Sequence, residues 1–276
     1  MPIRIFVGCA ANHEDVESQA VLEWSIRKHT SEDVEITWMK LSKDPDSFFY
    51  SNHETKQGWN TSRWATPFSG FRWSIPAQCG YEGKAIYMDS DFIVKADIAE
   101  AINQEFKPGA VVMSKGNQHK WRFCFSIWDC AAAERWLWPL HKLMAVPDSF
   151  SQMHQVFKKN EALRQDFQGN WNCLDGEKYT DLNDPAIKAI HYTSMPHQPQ
   201  LKHALPRLAA SGGQHWFEGE VKPHWRKDLQ DLFDNLLAEA TQNGYGVDRY
   251  MSDSKFGPYV KKSTGNRSSA VPSWGK

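Results

Sequence analysis

The chain has 276 residues, 41% of them hydrophobic and 24% charged, which is enough for a sizeable core in one large α/β domain. Its 32 lysines and arginines balance 33 aspartates and glutamates to a formal net charge of −1. That balance excludes a global basic field of the kind that recruits nucleic acid. No apolar run approaches the roughly 18 residues that span a bilayer, and the start of the chain, too quickly polar for a signal peptide, predicts a strand.

The cysteines, the tryptophans and the basic C-terminal tail indicate further properties of the protein. Five cysteines, an odd number without a close pair, predict reduced thiols packed as small apolar side chains in a cytoplasmic protein. Thirteen tryptophans can form core or stack on sugars and nucleobases. Beyond Lys255 the charged residues are all basic, which favours either a solvated terminus or peripheral contact with the inner face of a membrane: Lys261, Lys262, Arg267 and Lys276.

In chain order, the apolar run 3–8 predicts the first strand, and Asn12 is expected to cap the helix that follows. The buried face of that helix is predicted to hold Val16, Ala20, Val21 and Trp24. Residues 34–41 alternate with period two, as a second strand does. Residues 44–67 are polar, aromatic and turn-rich, which indicates a long surface excursion of the kind that carries function.

The remaining elements continue this alternation. A helix over 69–77 is predicted to lead into a buried strand over 84–88, followed by a short apolar run, 92–94, and a helix opened by Asp97. Further strands are predicted at 110–113, 123–128 and 187–192, and helices at 131–144, within 150–169 and at 229–240. Such alternation predicts a mostly parallel sheet with helices on both faces, which binds ligands beyond the carboxyl ends of its strands.

The sharpest motif stands at one of those strand ends. The predicted strand 84–88 runs directly into Asp89-Ser90-Asp91, two carboxylates one residue apart. Two hard oxygen ligands in this position suit Mg²⁺ or Mn²⁺ bound to substrate phosphates. The alternative interpretation is a pair of plain strand-end and turn carboxylates.

Three blocks of the chain resemble glycosyltransferase family 8, the group of retaining GT-A-fold enzymes that includes glycogenin and bacterial lipopolysaccharide galactosyl- and glucosyltransferases. The first block comprises FRWSIP at 71–76, GKAIYMDSD at 83–91 and ADI at 96–98. The second is AIHYT at 189–193, and the third and weaker one is NWNCLD at 170–175. The resemblance runs in order from residue 3 to about residue 199.

The resemblance implies an α/β, Rossmann-like GT-A fold as a single domain, with 1–205 as the transferase unit and 206–276 as a C-terminal helical extension. It also implies that Asp89, Asp91 and His191 hold Mn²⁺ or Mg²⁺ against the diphosphate of a UDP-sugar. The planar fork of Arg72 would reach the donor sugar or the phosphates. Asp91, Arg72 and Gln155 are thereby expected to be catalytic, Gln155 as the best counterpart of the family's Asp-Gln pair around the donor sugar.

The same resemblance assigns the nucleotide-binding residues, although the chain differs from the family at some of these positions. The donor is expected to contact the loop after the first strand and Ser90: Val7, Gly8, Cys9, Ala10, Asn12 and Ser90. The family grips the diphosphate with a glycine and a lysine, but here Ser194 and His197 stand in those places, with Lys202 as a substitute. The segment FCFSIWD at 123–129 keeps the rhythm of a family strand but lacks its usual asparagine.

The implied function is a metal-dependent retaining transfer of a hexose from a UDP-sugar to a glycan or glycolipid, of the bacterial surface polysaccharide type. Three alternatives stay open: a degenerate GT-A module that binds nucleotide or glycan without transfer, an inverting GT-A transferase, and a nucleotidyltransferase. The last is disfavoured because residues 9–13 are neither glycine-rich nor basic.

Individual residues have structural alternatives of their own. Arg72 could form a helix-surface ion pair, and His191 could be a simple hydrogen-bonded histidine at a strand end. Asn172 and Asp175 could form turns. Trp59 and Trp64, in the long excursion, are expected to stack on the acceptor sugar.

Overall fold

A computed structural model describes residues 1–116, 121–177, 182–251 and 255–260. The basic residues Lys261, Lys262, Arg267 and Lys276 lie outside the described residues. Among the described residues, no helix is long and apolar enough to cross a membrane.

The strands of the described chain form one large sheet and two small ones. They are β1 (Ile3–Gly8), β2 (Val34–Met39), β3 (Ser51–Asn52), β4 (Gln57–Gly58), β5 (Lys84–Asp89), β6 (Phe92–Val94), β7 (Val112–Lys115), β8 (Arg122–Asp129), β9 (Arg164–Gln165), β10 (Cys173–Leu174) and β11 (Ala189–His191). The helices are α1 (Val16–His29), α2 (Ile75–Gln78), α3 (Ile98–Ile102), α4 (Cys130–Ala133), α5 (Leu140–Ala145), α6 (Ser149–Lys159), α7 (Leu201–Ala210) and α8 (Lys227–Gln242).

The large sheet has the order β2-β1-β5-β8-β7-β9. Strand β1 runs parallel to β2 and β5, and β7 runs parallel to β9, whereas β8 is antiparallel to both of its neighbours. Apolar side chains of β1, β5 and β8 are buried on both faces of the sheet, as expected for strands covered by other layers on either side. The predicted α/β fold with a mostly parallel central sheet is confirmed.

A small second sheet, β10-β11-β6, stands beside the carboxyl end of β5. Strand β11 is antiparallel to β6, with His191 opposite Phe92. Because β6 begins immediately after Asp91, this pairing delivers His191 to the aspartate pair. A late strand in the chain is thus brought to the loop that follows β5.

Two predicted helix boundaries are wrong. Asn12 does not cap α1, because His13 adopts a left-handed φ of 66° and the helix begins only at Val16, after Asp15. The helix predicted over 131–144 is split into α4, a short 3₁₀ turn and α5. Pro139 stands between the pieces, where it has no N–H to continue a helix and restricts the residue before it.

The C-terminal quarter packs onto the sheet layers. Helix α8 contacts α1, with Leu229, Phe233 and Leu236 buried beside Ile190 of β11. Helix α7, for which the sequence offers no prediction, holds Pro206 in its interior. The division of the chain at residue 205 stays a prediction, and α7 runs across that position.

Candidate active site

The carboxyl ends of β1 and β5 form the edge on which the site is built. Gly8 and Asp89 are paired across the two strands, and the Ser90 N–H donates to the Gly8 carbonyl at 3.2 Å. The Ser90 hydroxyl and the Ala10 N–H both donate to Asp15 Oδ2, at 2.8 and 3.0 Å. The buried Asp15 carboxylate therefore ties the loop after β1 to the loop after β5.

Gly8 has a steric reason to be glycine. A Cβ atom at this position would lie 2.6 Å from the Tyr87 hydroxyl and 2.9 Å from the Phe68 ring. The missing side chain lets the Tyr87 hydroxyl occupy that space and donate a hydrogen bond to Asp89 Oδ1. A small residue in β1 thus helps to position a carboxylate of β5.

Arg72 is buried at this edge and is not a helix-surface residue. Its Nη2 donates to Asp89 Oδ1 at 3.0 Å, and its Nε donates to the Ser69 carbonyl at 2.9 Å. The guanidinium lies over the Tyr87 ring, 4.6 Å from the centroid. Burial raises the pKa of Asp89, against the opposing effect of Arg72. The alternative interpretation of Arg72 as a surface ion pair is wrong.

The two carboxylate oxygens of Asp91 differ in their contacts. Its Oδ2 accepts a 2.6 Å hydrogen bond from Gln198 Nε2. Its Oδ1 is buried and lies 3.3 Å from His191 Nε2, without hydrogen-bond geometry. A buried carboxylate oxygen left without a partner is costly unless a ligand satisfies it.

His191 is oriented by three neighbours. Its Nδ1 lies 3.0 Å from Asn172 Oδ1 and 3.4 Å from Cys124 Sγ, and its ring stacks on Phe92 with centroids 4.2 Å apart. Because an amide oxygen accepts from Nδ1–H, Nε2 is the ring nitrogen that faces Asp91. Burial lowers the pKa of His191, but Cys124 and Asp91 outweigh it and raise the pKa well above its usual value.

Cys124 also lies in this site, although the sequence does not single it out as a site residue. Ligand atoms of Asp89, Cys124 and His191 all lie within 4.8 Å of one another. The amide of Asn172 donates to Cys124 Sγ at 3.2 Å, so one asparagine holds both the thiol and the imidazole. Asn172 therefore orients the site and does not merely form a turn.

The loop expected to bind the nucleoside is already engaged by the segment 255–260, which we name the C-terminal strap. The Asn12 side chain makes two hydrogen bonds to the Gly257 backbone, donating to its carbonyl at 2.9 Å and accepting from its N–H at 2.8 Å. The Ala11 N–H donates to the Tyr259 hydroxyl at 2.7 Å. Val7 and Cys9, expected beside the nucleoside, are buried behind the edge.

The residues expected to grip the diphosphate divide into two groups. Ser194 and His197 contact one another, Oγ to Nδ1 at 2.9 Å, on the loop that also supplies Gln198. Lys202 instead pairs with Asp234 of α8 at 2.6 Å in an exposed ion pair. Gln198, which the sequence does not single out, is the side chain of this loop that reaches Asp91.

Gln155 is exposed on α6. Its neighbour His154 packs against the Phe123 ring, with centroids 5.5 Å apart. Burial, together with nearby Arg72, lowers the pKa of His154. The structure thus places His154, and not Gln155, in the surroundings of Arg72.

The predicted acceptor tryptophans are core residues. Trp59 and Trp64 are 1% and 3% exposed and pack edge-on against each other and Phe71. The indole N–H of Trp59 donates to the Phe48 carbonyl at 2.8 Å. The prediction that Trp59 stacks on a sugar is therefore wrong.

Trp64 also lines a cavity of about 940 Å³ between the long excursion, the loop 212–218 and the C-terminal strap. Two nearly buried lining side chains, Trp64 and His215, have a ring nitrogen without a hydrogen-bond partner. The His215 Nδ1 accepts from the Phe217 N–H at 2.9 Å, which places the proton on the unpartnered Nε2. Two residues that line the cavity, Trp64 and His215, therefore each carry a buried N–H group without a hydrogen-bond partner.

Comparisons with known proteins identify the fold. No protein-family model and no curated protein sequence matches the chain. Solved glycosyltransferase structures do match: the bifunctional WbbM at 16% identity and a TM-score of 0.52, over 87% of this chain and 51% of WbbM; and GlyE of Streptococcus pneumoniae at 14% and 0.51, over 89% and 65%. An active-site mutant of LgtC matches at 10% and 0.52, over 86% of this chain and 96% of LgtC.

The chain thus has the fold of the GT-A glycosyltransferases, as the family 8 resemblance implies. It spans about half of the WbbM chain, 51%, and 65% of the GlyE chain.

Proposed function

We propose that this protein is a metal-dependent retaining glycosyltransferase that moves a hexose from a UDP-sugar to a glycan or glycolipid acceptor. The observation that carries the proposal is the convergence of Asp89, Asp91 and His191 at one sheet edge, where the buried Asp91 Oδ1 makes no hydrogen bond and lies 3.3 Å from His191 Nε2. Structural neighbours that are glycosyltransferases support the class of reaction.

The residues of this edge fit a divalent cation. Asp89 and Asp91 offer carboxylate oxygens, and His191, held through Nδ1 by Asn172, offers Nε2, which would give up its proton to bind the ion. Such a set suits Mn²⁺ or Mg²⁺ held between protein and phosphate oxygens. When bound, the ion supplies Lewis-acid neutralisation of the charge on the leaving nucleoside diphosphate.

Arg72 adds fixed positive charge to the same place. Asp89, the Ser69 carbonyl and the Tyr87 ring hold the guanidinium in one orientation before any substrate binds. A preorganised cation stabilises developing negative charge without reorganising during the reaction. We assign Arg72 to the donor phosphates or the donor sugar.

The family 8 resemblance implies a retaining outcome, and the use of the carboxylates decides how it would be reached. Because Asp89 and Asp91 are assigned to the cation, neither serves as a covalent nucleophile in this proposal. The acceptor hydroxyl then attacks from the face of the departing phosphate, whose oxygen accepts its proton. Positioning and charge stabilisation by the site account for the rate.

The test is cation-dependent UDP release from a panel of UDP-sugars. Wild-type protein should release UDP in Mn²⁺, and Asp91→Asn should not, while Asp231→Asn, the same change at a surface ion pair of α8, should match wild type. Mn²⁺ with UDP should also raise the melting temperature of wild type and Asp231→Asn but not that of Asp91→Asn. Release unaffected by Asp91→Asn would refute the proposal.

A second candidate, a module that binds nucleotide or glycan without transfer, is favoured by one observation. The side chains that stand where the family grips the diphosphate are engaged elsewhere, Ser194 with His197 and Lys202 with Asp234 of α8. Binding of UDP without release of UDP from any UDP-sugar would support this candidate over the first.

A further inference from the structure

Trp225 is the one exposed tryptophan among the residues that the structure describes, with 52% of its surface accessible. Tryptophan buries most of its surface in folded proteins, so an indole that is more than half exposed is unusual. The charged residues on either side of it in the sequence form ion pairs, Lys222 with Glu220 and Arg226 with Asp228. A single ring between charged residues differs from the wide apolar patch on which a protein or a membrane docks.

Two histidines hold the exposed ring in place. The indole stacks on the His224 imidazole, with ring centroids 4.6 Å apart and an interplanar angle of 24°. The His197 ring lies at 72° to the indole, with centroids 4.9 Å apart. His224 is itself buried and fixed, since its Nδ1 accepts from the Arg226 N–H at 3.0 Å and its Nε2 lies 3.5 Å from Asp175 Oδ2. A ring that is already fixed loses little conformational entropy when a ligand stacks on it.

The supports of this ring lead to the residues that we assign to the cation. The Asp175 N–H, next to the buried imidazole, donates to the His191 carbonyl at 3.0 Å. On the other side of the indole, His197 directly precedes Gln198, whose amide donates to the second carboxylate of the aspartate pair. The exposed indole is therefore connected on both sides to the candidate active site.

The chemistry of this surface fits a sugar. A pyranose presents C–H bonds on one face, which stack on an indole, and hydroxyls around its rim, which need polar partners. Exposed Lys222 is one such partner, because its N–H donates to the Pro196 carbonyl at 2.8 Å and thereby fastens it to the loop that carries His197. The family resemblance assigns the donor nucleoside to the loop after β1. The acceptor is left without a binding residue, because Trp59 and Trp64 are core.

We propose that Trp225 binds the acceptor by stacking on a pyranose ring of a glycan or glycolipid. This inference rests on the proposed function and adds the residue that recognises its second substrate. Trp225 takes no part in bond making or breaking, and its contribution is to acceptor affinity. The ring should therefore lower the KM for the acceptor without changing the affinity for UDP.

Saturation-transfer NMR with a panel of methyl glycosides and disaccharides of common hexoses tests the proposal without any turnover. The wild-type full chain, with Mn²⁺ and UDP present, should transfer saturation to the C–H protons on one face of at least one sugar. Trp225→Ala should weaken that binding about tenfold. Trp225→Phe should keep most of it because a flat ring remains, whereas Trp225→Leu should behave as the alanine variant. Met251→Ala, which shortens another exposed apolar side chain, should match wild type.

Calorimetry with UDP in Mn²⁺ keeps the outcomes apart. UDP affinity should be the same in wild type and Trp225→Ala. Weaker UDP binding in the variant would mean that the indole stacks on the nucleobase, which would overturn the assignment to the acceptor. Glycoside binding that is absent from wild type, or that survives unchanged in Trp225→Ala, would overturn it as well. Glycoside binding through Trp225 in a protein that releases no UDP from any UDP-sugar would keep Trp225 as a glycan-binding residue while refuting the transferase.

Discussion

Two regions of the same sheet edge differ in how their polar groups are satisfied. At the side that we assign to the cation, Asp91 Oδ1 is buried without a hydrogen bond and lies 3.3 Å from His191 Nε2. At the loop after β1, the Asn12 side chain and the Ala11 N–H are fully engaged by Gly257 and Tyr259. The comparison teaches that one side leaves a buried oxygen without a hydrogen bond, whereas the polar groups of the other side are satisfied by a segment of the same chain.

The largest effect is expected at the free carboxylate. Asp91→Asn removes the charge that faces His191 but keeps the side-chain volume, and it should reduce cation-dependent UDP release by about a hundredfold or more. The melting-temperature increase caused by Mn²⁺ and UDP should disappear with it. Unchanged release would mean that the cation side is not the reacting side.

The second-largest effect is expected at Asn172, which binds His191 Nδ1. Asn172→Ala removes the acceptor of Nδ1–H and should weaken divalent cation binding by about 10- to 100-fold, measured by calorimetry. Asn172→Asp keeps that acceptor and should recover most of the affinity. Equal losses in both variants would show that Asn172 supports the local structure and does not orient the imidazole.

How much of this could be predicted differs between the two regions. Asp89 and Asp91 are visible in the sequence because an apolar strand followed by two spaced acids is a local pattern. His191 becomes visible through the family resemblance. The alternation of strands and helices is likewise visible in short stretches of sequence. The two wrong helix boundaries come from local exceptions at His13 and Pro139.

Other groups were beyond sequence reasoning because distant segments supply them. Gln198 reaches Asp91 across 107 residues of sequence, and Gly257 reaches Asn12 across 245. Cys124 had one weak signal, the missing asparagine in FCFSIWD, but its neighbours are defined only by the pairing of β5 with β8. A cysteine in an apolar strand ordinarily indicates core.

Stability should depend on pH through Glu14, whose carboxylate accepts a hydrogen bond from the C-terminal strap. Burial raises the pKa of Glu14 to about 7, although the Tyr259 hydroxyl donates to its carboxylate and opposes the rise. Because the folded state then holds a proton that the unfolded state has lost, stability should fall as pH rises from about 4.5 to about 7.

Glu14→Gln should remove this dependence, which is on the order of 2 kcal/mol. The measurement is the melting temperature at pH 5 and pH 8, where the variant should lose less than wild type. Glu54→Gln, at an exposed position, is the control and should behave as wild type. An identical pH dependence in Glu14→Gln would show that another group is responsible.

The smallest effect is expected at Tyr259, and it tests how the C-terminal strap affects nucleotide binding. Tyr259→Phe removes the hydroxyl that binds Ala11 and Glu14, a loss of about 1 kcal/mol of strap attachment. If the nucleoside binds at Ala11 and Asn12, it competes with the strap, and the variant should bind UDP roughly fivefold more tightly.

Calorimetry with UDP measures this directly, and Tyr245→Phe, a ring that packs on Trp24 away from the strap, is the control. Weaker UDP binding in Tyr259→Phe would mean that the strap forms a wall of the nucleoside pocket and does not block it. In that case the two sides of the edge would differ for another reason. The satisfied groups at Asn12 would belong to the finished site, and only the cation side would await its ligand.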